Sequence, residues 1–324
     1  MKNETHEIGI EVIDLQIKAL KKLKNFLNNS FTEAVNTLLK CKSKVIICGV
    51  GKSGIIASKI SATLSSVGTP SFTISASDCS HGDLGRITPN DILILISYSG
   101  NTSELKNIIK YSKANKIPLI GIVSNKESEL YKSANIKLLI PEVLEAGYGI
   151  VPTSSTTTQL AIGDALAIAL MKKKEFGKLD FKKFHPSGSL GTKLKTASDL
   201  MLIGNKIPFV KEDALMKQAL KKLNNKRLGF IVATNKKKNT TGIFTDGDLK
   251  RLMQKKRVID NLKLKSFMNK YPFMVEKNNL ASDVLKQMNK RKITNVCVYE
   301  KGNKKKTIGV IHIHNLIQNF KMNN

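Results

Sequence analysis

Hydroxyl and amide side chains crowd around one glycine in the segment ILISYSGNTSELKNII, residues 94–109. An apolar strand pattern precedes Gly100 and a helical pattern follows it, so the chain is predicted to turn from a strand into a helix here. Hydroxyl groups, unpaired backbone N–H groups and the positive end of a helix dipole together form a site for one terminal phosphate. The segment therefore predicts a phosphate site, with a serine-rich helix cap as the structural alternative. The expected contacts are Ser97, Ser99, Asn101, Thr102 and Ser103.

A second hydroxyl cluster begins another predicted helix in VPTSSTTTQLAIGDALA, residues 151–167. Open α/β sheets bind ligands at the carboxyl ends of their strands, where both clusters are expected to lie. Two such clusters at one sheet edge predict a small phosphorylated ligand that carries several hydroxyl groups. The expected contacts here are Thr153, Ser154, Ser155 and Thr156.

A glycine loop, CGVGKSGIIASK at residues 48–59, follows the apolar run KVII. Its spacing fits the G-x-G-x-x-G pattern of a dinucleotide site, with Asp78 as candidate ribose ligand, whereas Ile46 stands where an ATP-binding loop requires glycine. Lys52 suits a compact anion better than a pyrophosphate bound by backbone alone. We therefore expect the loop to contact a phosphosugar, with its glycines providing clearance. The expected contacts are Gly51, Lys52 and Ser53.

Four titratable side chains in or near these segments could transfer protons on a bound phosphosugar. One such reaction, the movement of a carbonyl group between C1 and C2, requires a base, an acid for the oxygen, and stabilisation of the enediolate charge. Glu104 follows the phosphate turn by one helical step, and Glu145 lies on a loop at the same predicted sheet edge. Lys52 supplies a cation, and His185 in HPSGSLG can take up and release a proton near pH 7.

Three other histidines are assigned to pocket shape and to structure. We expect His81 and Asp83 in SHGDLG to shape the substrate pocket. His312 and His314 lie two apart on one predicted strand, but they lack a third candidate ligand, so a structural role is favoured over metal binding. The reaction is expected to need no metal and no other cofactor.

Short apolar runs alternate with helical segments in the first part of the chain. Helical patterns over 7–40, where Ser30 and Glu33 have capping-box spacing, precede the runs KVIICGV, SFTISAS, DILILIS, PLIGIVS and IKLLIP. Continuous apolar strands separated by helices indicate an α/β fold, a parallel-sheet αβα sandwich covered on both faces. This domain is predicted to span residues 1–195.

The remainder of the chain contains two similar units. Residues 220–249 align with 285–316, and each copy reads as helix, strand, turn, strand and helix. Units of about 60 residues have little core of their own, so the two are expected to pack on one another. We predict an α+β tandem module with repeats at 196–258 and 259–324.

The net charge of +29 comes almost entirely from lysine, because only five of the 54 basic residues are arginine. Nucleic-acid readers favour arginine, so lysine turns such as NKKKN and GNKKK are interpreted as solvated surface, and no nucleic-acid partner is expected. There is no apolar run long enough for a membrane span, and the four cysteines lack C-x-x-C pairing. A cytoplasmic protein with reduced cysteines is therefore expected.

Seven motifs occur in the order found in sugar isomerase (SIS) domains: GVGKSG, GTPSF, SHGDLG, ISYSGNTSEL, PTSSTTT, GDALA and HPSGSLG. The two repeats resemble a tandem pair of cystathionine-β-synthase (CBS) domains, and the whole chain resembles the arabinose 5-phosphate isomerase family. This resemblance implies interconversion of D-ribulose 5-phosphate and D-arabinose 5-phosphate for synthesis of 3-deoxy-D-manno-octulosonate (Kdo). It also implies catalytic roles for Lys52, Glu104, Glu145 and His185.

The resemblance has two further implications. In the first repeat GIFTDGDL matches a CBS ending in which an aspartate holds a ribose, which implies nucleotide binding at Thr245, Asp246 and Asp248. The second repeat ends GVIHIHNL and lacks that aspartate. Sugar isomerase domains typically form dimers or tetramers, so a homotetramer is expected, with His185 entering a neighbouring subunit's site.

Two alternative functions stay open at this point. Sugar isomerase domains also occur in regulators that bind a sugar phosphate without turnover, although the N-terminal helices here have no basic DNA-recognition face. The other alternative is an isomerase that acts on a different phosphosugar, such as a hexose or heptose phosphate.

Overall fold

The computed structural model describes residues 2–185, 191, 193–256 and 258–321. The chain divides into two compact units, Met1–Phe181 and Lys182–Asn324. This division precedes the boundary predicted at residue 195, and an ion pair between Lys182 and Asp199 fastens the intervening segment to the second unit.

Within the described part of the first unit, five parallel strands form one sheet in the order β2-β1-β3-β4-β5. Every residue of β3 and β4 is buried, as uninterrupted apolar runs predict for a sheet covered on both faces. The strand order reverses between β1 and β3, which is where open α/β sheets bind ligands. The strands are β1 (Val45–Gly49), β2 (Ser71–Thr73), β3 (Ile92–Ile96), β4 (Leu119–Val123) and β5 (Ile136–Leu139).

Helices cover both faces of this sheet. Ile47 packs with Leu64 and Leu166 on one face, whereas Ile46 packs with Ile108 on the other. Successive strand residues point to opposite faces, so β1 contributes to both cores, and the predicted αβα sandwich is confirmed. The helices are α1 (Lys2–Lys24), α2 (Asn29–Leu39), α3 (Lys52–Ser66), α4 (Ala76–Cys79), α5 (Lys106–Ala114), α6 (Glu129–Ser133), α7 (Ser154–Lys173) and α8 (Lys178–Phe184).

The second unit contains two small sheets of the same design. β6 pairs parallel with β7 and β7 antiparallel with β8, and β9, β10 and β11 repeat this arrangement, which confirms the predicted α+β module. The strands are β6 (Phe209–Lys211), β7 (Phe230–Thr234), β8 (Thr240–Thr245), β9 (Met274–Glu276), β10 (Asn295–Glu300) and β11 (Asn303–His312). The helices are α9 (Ala197–Leu200), α10 (Met216–Lys226), α11 (Asp246–Lys255), α12 (Ala281–Arg291) and α13 (Ile313–Lys321). Across the described residues, no helix combines the length and apolar character that a membrane crossing requires.

The two repeats bury a shared apolar face, as their small size predicts. Phe230 and Val232 of the first repeat cluster with Cys297 and Val310 of the second. The first segment of each repeat also pairs with the other repeat, because Leu202 bridges to β11 and Asn269 bridges to β8. The repeats are therefore packed as one body, and each completes the other.

Candidate active site

The loops after β1 and β3 lie side by side at the carboxyl edge of the first unit's sheet. Gly49, the last residue of β1, pairs with Ile96, the last residue of β3. Adjacent strands are about 4.8 Å apart, so the glycine loop after β1 and the hydroxyl turn after β3 are neighbours. The two motifs meet where the strand order reverses.

The hydroxyl turn, residues 97–103, begins with a buried serine. Ser97 Oγ accepts a hydrogen bond from the Gly100 N–H at 2.9 Å and lies 2.7 Å from Thr102 Oγ1. Gly100 has a φ of +71°, and a Cβ there would lie 2.2 Å from Ser128 Oγ. Ser97 and Gly100 therefore fix the shape of the turn, and only glycine fits at its centre.

The other members of the turn divide between packing and solvent. Asn101 Oδ1 accepts a hydrogen bond from the Glu129 N–H at 2.9 Å and thereby caps α6, which leaves its amide NH₂ group as the part that can reach a ligand. Ser99 and Ser103 are exposed, and Ser103 begins a short 3-10 helix that leads into α5. The first N–H groups of a helix lack intrahelical partners, so this end of the turn can receive an anion.

Glu104 is exposed beside the hydroxyl turn. Ser103 Oγ donates a hydrogen bond to Glu104 Oε2 at 2.8 Å, and this bond lowers the pKa of the Glu104 carboxyl below its ordinary value. The side chain is therefore ionised at neutral pH. An ionised, accessible carboxylate beside a phosphate turn can accept a proton from a bound sugar.

Glu145 occupies the positive end of α7. Its Oε2 atom accepts hydrogen bonds from the N–H groups of Thr153 and Ser154, both at 2.8 Å, and of Ser155 at 3.3 Å. Thr153 Oγ1 donates a fourth bond at 3.2 Å. Burial raises the pKa of the Glu145 carboxyl, but the hydrogen bonds from Ser155 and Thr153 outweigh it, so the pKa is lowered.

This geometry shows what the start of α7 binds within the chain. The backbone N–H groups of Thr153, Ser154 and Ser155 bind the Glu145 carboxylate, and contact of the second hydroxyl cluster with the substrate stays a prediction. The residues Ser154 and Ser155 are 0% and 3% exposed, and Thr156 Oγ1 donates to the Thr153 carbonyl at 2.9 Å. The N-terminus of α7 therefore binds an anion from the same chain, the Glu145 carboxylate, and holds it at the edge of the sheet.

The glycine loop combines close packing with a cavity. A Cβ on Gly49 would lie 2.8 Å from the Ser53 carbonyl carbon, and a Cβ on Gly54 would lie 2.8 Å from the Gly49 oxygen. These two glycines therefore let β1 and α3 pack closely. Gly51 has a φ of +58° and open space around its Cβ position, and all three glycines border a cavity of about 320 Å³. Clearance for a phosphosugar stays a prediction.

Lys52 is exposed at the start of α3, and the next residue, Ser53, links this helix to α7. Ser53 Oγ donates a hydrogen bond to Gln159 Oε1 at 3.2 Å, which ties α3 to α7. Gln159 is fully buried, and its Nε2 atom has no partner in the part of the chain that the structure describes. Gln159 was not among the predicted site residues, although a glutamine inside the apolar helix TTTQLAIGDALA is a signal for a buried polar contact.

Tyr98 was also missed, although it stands between two residues predicted to bind phosphate. Its hydroxyl accepts a hydrogen bond from the Val143 N–H at 2.9 Å and so ties the hydroxyl turn to the segment that carries Glu145. The structure therefore brings Lys52, Glu104 and Glu145 to one edge of the sheet.

His81, Asp83 and His185 are the other residues predicted for the pocket or for catalysis. His81 is exposed after α4, and Asp83 forms an ion pair with Arg86 at 2.8 Å. The boundary between the two units falls inside α8, and His185, which follows this helix, belongs to the second unit. Residues 186–190 of its motif lie outside the described residues. The catalytic role of His185 stays a prediction.

The predicted nucleotide residues line a cavity of about 650 Å³ in the second unit. Thr245 Oγ1 donates to Asp248 Oδ2 at 2.8 Å and accepts from the Asp248 N–H at 3.2 Å, which forms a capping box at the start of α11. Arg251 pairs with Asp248, and Asp246 is exposed beside them. The cavity also contains His312, whose pKa is lowered by burial and by His314.

The match to family models follows this two-unit organisation: residues 38–169 match the SIS domain, and residues 197–255 and 264–321 match the CBS domain. Arabinose 5-phosphate isomerase KdsD of Yersinia pestis is 40% identical over 314 residues, which cover 96% of this chain and 95% of that protein. The chain belongs to the arabinose 5-phosphate isomerase family.

Other relatives agree with this assignment. KdsD of Escherichia coli strain K12 is 38% identical, again over 96% of this chain and 95% of that protein. Among solved structures, E. coli CFT073 c3406 in complex with arabinose 5-phosphate matches with a TM-score of 0.56 and 35% identity. That match covers 57% of this chain and 100% of the other.

Proposed function

We propose that this protein is an aldose–ketose isomerase that interconverts D-ribulose 5-phosphate and D-arabinose 5-phosphate and supplies Kdo synthesis. The observation that carries the proposal is that Lys52, Glu104 and Glu145 all lie at the carboxyl edge of the sheet that also carries the hydroxyl turn. The KdsD relatives and the arabinose 5-phosphate complex of c3406 support the choice of substrate.

The reaction is a proton transfer through an enediol. The 5-phosphate binds at the hydroxyl turn, which directs the carbonyl end of the sugar toward the carboxylates. We assign the proton-accepting role to Glu104, because its carboxylate is exposed and is held by a single side-chain hydrogen bond, from Ser103. Glu145 is held by four hydrogen bonds and orders the end of α7, and Lys52 offsets the enediolate charge.

A substrate panel tests the proposal. Purified protein is incubated with D-ribulose 5-phosphate and, in parallel, with hexose and heptose ketose phosphates, and the aldose products are measured by NMR. We expect arabinose 5-phosphate to form fastest, and the same equilibrium mixture to arise from either direction. Faster turnover of a hexose or heptose phosphate would reassign the substrate.

The same preparation separates an enzyme from a regulator. We expect no binding of duplex DNA at physiological salt. Sugar-phosphate binding without turnover, together with DNA affinity that falls steeply with salt, would establish the regulator.

The 650 Å³ cavity of the second unit is the place where we propose that a nucleotide binds and modulates the isomerase. The ribose is expected at Asp248, and Arg291, which lies 4.3 Å over the Phe273 ring on the cavity wall, offers a cation and a stacking surface. Calorimetry with adenine and cytosine nucleotides tests this, and Asp248→Ala is expected to weaken the tightest binder about tenfold. Unchanged affinity in that variant would contradict it.

We propose a homotetramer as the working form. Support comes from exposed apolar residues along α1, a pattern typical of subunit interfaces. These residues are Ile8, Ile10, Ile13, Ile17 and Leu20. Light scattering on the eluting protein measures the assembly, and mixing inactive Glu104→Gln with inactive His185→Asn chains tests a shared site, because mixed assemblies regain activity only if one chain completes another's site.

We further propose a cytoplasmic location. All four cysteines are free thiols, which persist in reducing compartments. Fractionation of the source cells, with the protein followed by antibody, tests this.

A further inference from the structure

The two lysine-rich turns of the repeats, residues 235–239 and 302–306, come together in the second unit, and the second of them includes the first four residues of β11. Thr240 follows the first turn and Thr307 follows the second. Their hydroxyl oxygens lie 2.7 Å apart, and the Thr307 N–H donates to Thr240 Oγ1 at 3.0 Å. These hydrogen bonds hold the two lysine-rich turns next to each other, although the turns are far apart in the sequence.

A cavity of about 700 Å³ lies between these turns and β6, and we name it the lysine cavity. Its volume falls in the range of small-molecule sites. One wall is Phe209, which keeps 36% of its surface exposed. The lysines that line it are Lys211, Lys236, Lys238 and Lys306.

The charge of the lysine cavity is not balanced by its own carboxylates. Glu212 and Asp213 also line it, so four lysines share the cavity with two carboxylates, and Asp213, which Lys236 also attracts, pairs with Lys265 outside the cavity at 2.8 Å. In the described part of the chain, none of the four cavity lysines forms a salt bridge. Four lysines and two carboxylates therefore line one concave site, and its excess positive charge would attract a multiply charged anion.

This site is separate from the 650 Å³ cavity. The lysine cavity lies at the Thr240 end of β8, whereas Thr245, at the opposite end, lines the other cavity. A six-residue strand is about 17 Å long, and the two cavities share no lining residue. One small ligand cannot occupy both.

We propose that the lysine cavity binds a small organic polyphosphate, with its phosphate groups on the four lysines and its apolar part against Phe209. Lysine binds phosphate as a compact point charge, whereas base reading relies on arginine and amide side chains, which form planar hydrogen-bond pairs. The concave shape and the single aromatic wall favour a small molecule over a nucleic-acid strand, which needs a row of stacking platforms.

Calorimetric titration of the full chain with inorganic tripolyphosphate, at an ionic strength of about 0.15 M, tests the proposal. We expect saturation at one tripolyphosphate per chain. The variant Lys211→Gln/Lys238→Gln/Lys306→Gln removes three of the four lysine charges that would pair with the bound phosphate groups. It is expected to weaken tripolyphosphate binding about 10- to 100-fold. These side chains are exposed, so an unchanged thermal midpoint verifies that the variant is folded.

Two controls make the result specific. Lys217→Gln/Lys221→Gln/Lys286→Gln changes the net charge equally on exposed helix positions and is expected to keep affinity within about twofold. Arg251→Gln/Arg291→Gln alters the other cavity and is expected to leave tripolyphosphate binding intact. The proposal would be overturned if both lysine variants weakened tripolyphosphate binding equally, or if the arginine variant lost tripolyphosphate binding. It would also be overturned if the cavity lysines bound duplex DNA or phosphatidylglycerol vesicles more tightly than tripolyphosphate.

Discussion

Replacing Glu145 with glutamine removes the charge at the positive end of α7 while keeping the size of the side chain. The carboxylate receives four hydrogen bonds, three from N–H groups in the first turn of a 20-residue helix. The glutamine oxygen can keep part of this set, but charge-assisted bonds are about twice as strong as neutral ones. Loss of a helix cap costs about 0.5–2 kcal/mol, so we expect Glu145→Gln to lower the free energy of unfolding by about 2 kcal/mol.

The pH dependence gives this prediction a second signature. The pKa of Glu145 is lowered in the folded protein, so its contribution is fully present above the unfolded value of about 4.3 and is lost as pH falls through the folded pKa. The difference in the free energy of unfolding between wild type and Glu145→Gln should therefore be largest near pH 7 and should disappear at acid pH. Urea unfolding followed by circular dichroism at several pH values measures it, and at neutral pH the thermal midpoint should fall by about 4–8 °C.

Two results would refute this reasoning. Equal stability at pH 7 would mean that the carboxylate is not the cap of α7. A difference that stays constant into acid would mean that the substitution acts through packing and not through charge.

Three further substitutions test other parts of the account. Gly100→Ala should destabilise the protein by at least about 2 kcal/mol in urea unfolding, because the φ of +71° and the nearby serine hydroxyl leave no room, whereas Gly85→Ala, with open space, should change little. Asp91→Asn should cost about 3 kcal/mol at pH 7, because it breaks an ion pair to Lys44 at 3.1 Å in which the aspartate side chain is fully buried. The pKa of Asp91 is lowered, so this cost should shrink as pH falls through the folded pKa. Lys52→Gln should reduce kcat/KM for the sugar phosphate about 10- to 100-fold in steady-state assays without changing the unfolding midpoint.

The three-layer arrangement of the first unit could be predicted from the sequence, because strands that are buried on both faces have unbroken apolar runs. The first and last residues of the elements could be predicted less well. The Ser30–Glu33 spacing predicted a helix start, but α2 begins at Asn29, and Asn28 Oδ1 accepts the Ser30 N–H at 2.9 Å. Asparagine is as good a cap as serine, so spacing alone did not choose between them.

The candidate site was predictable in its location and less so in its contacts. The hydroxyl turn and the glycine loop were placed correctly, because parallel strands bring their carboxyl ends to one edge. The sequence does not reveal that Glu145 takes the N–H groups at the start of α7, because a carboxylate eight residues upstream becomes a cap only once the intervening loop folds back. It also does not separate Gly49 and Gly54, which pack, from Gly51, which faces open space.

The rate of arabinose 5-phosphate formation from ribulose 5-phosphate, compared between wild type and the double variant Glu104→Gln/Glu145→Gln, tests the central claim most directly. Wild-type protein should form the product without added cofactor. The double variant should lose at least about 10²-fold in kcat, the contribution expected of a positioned general base. No product with the wild type, or full activity in the double variant, would contradict the account.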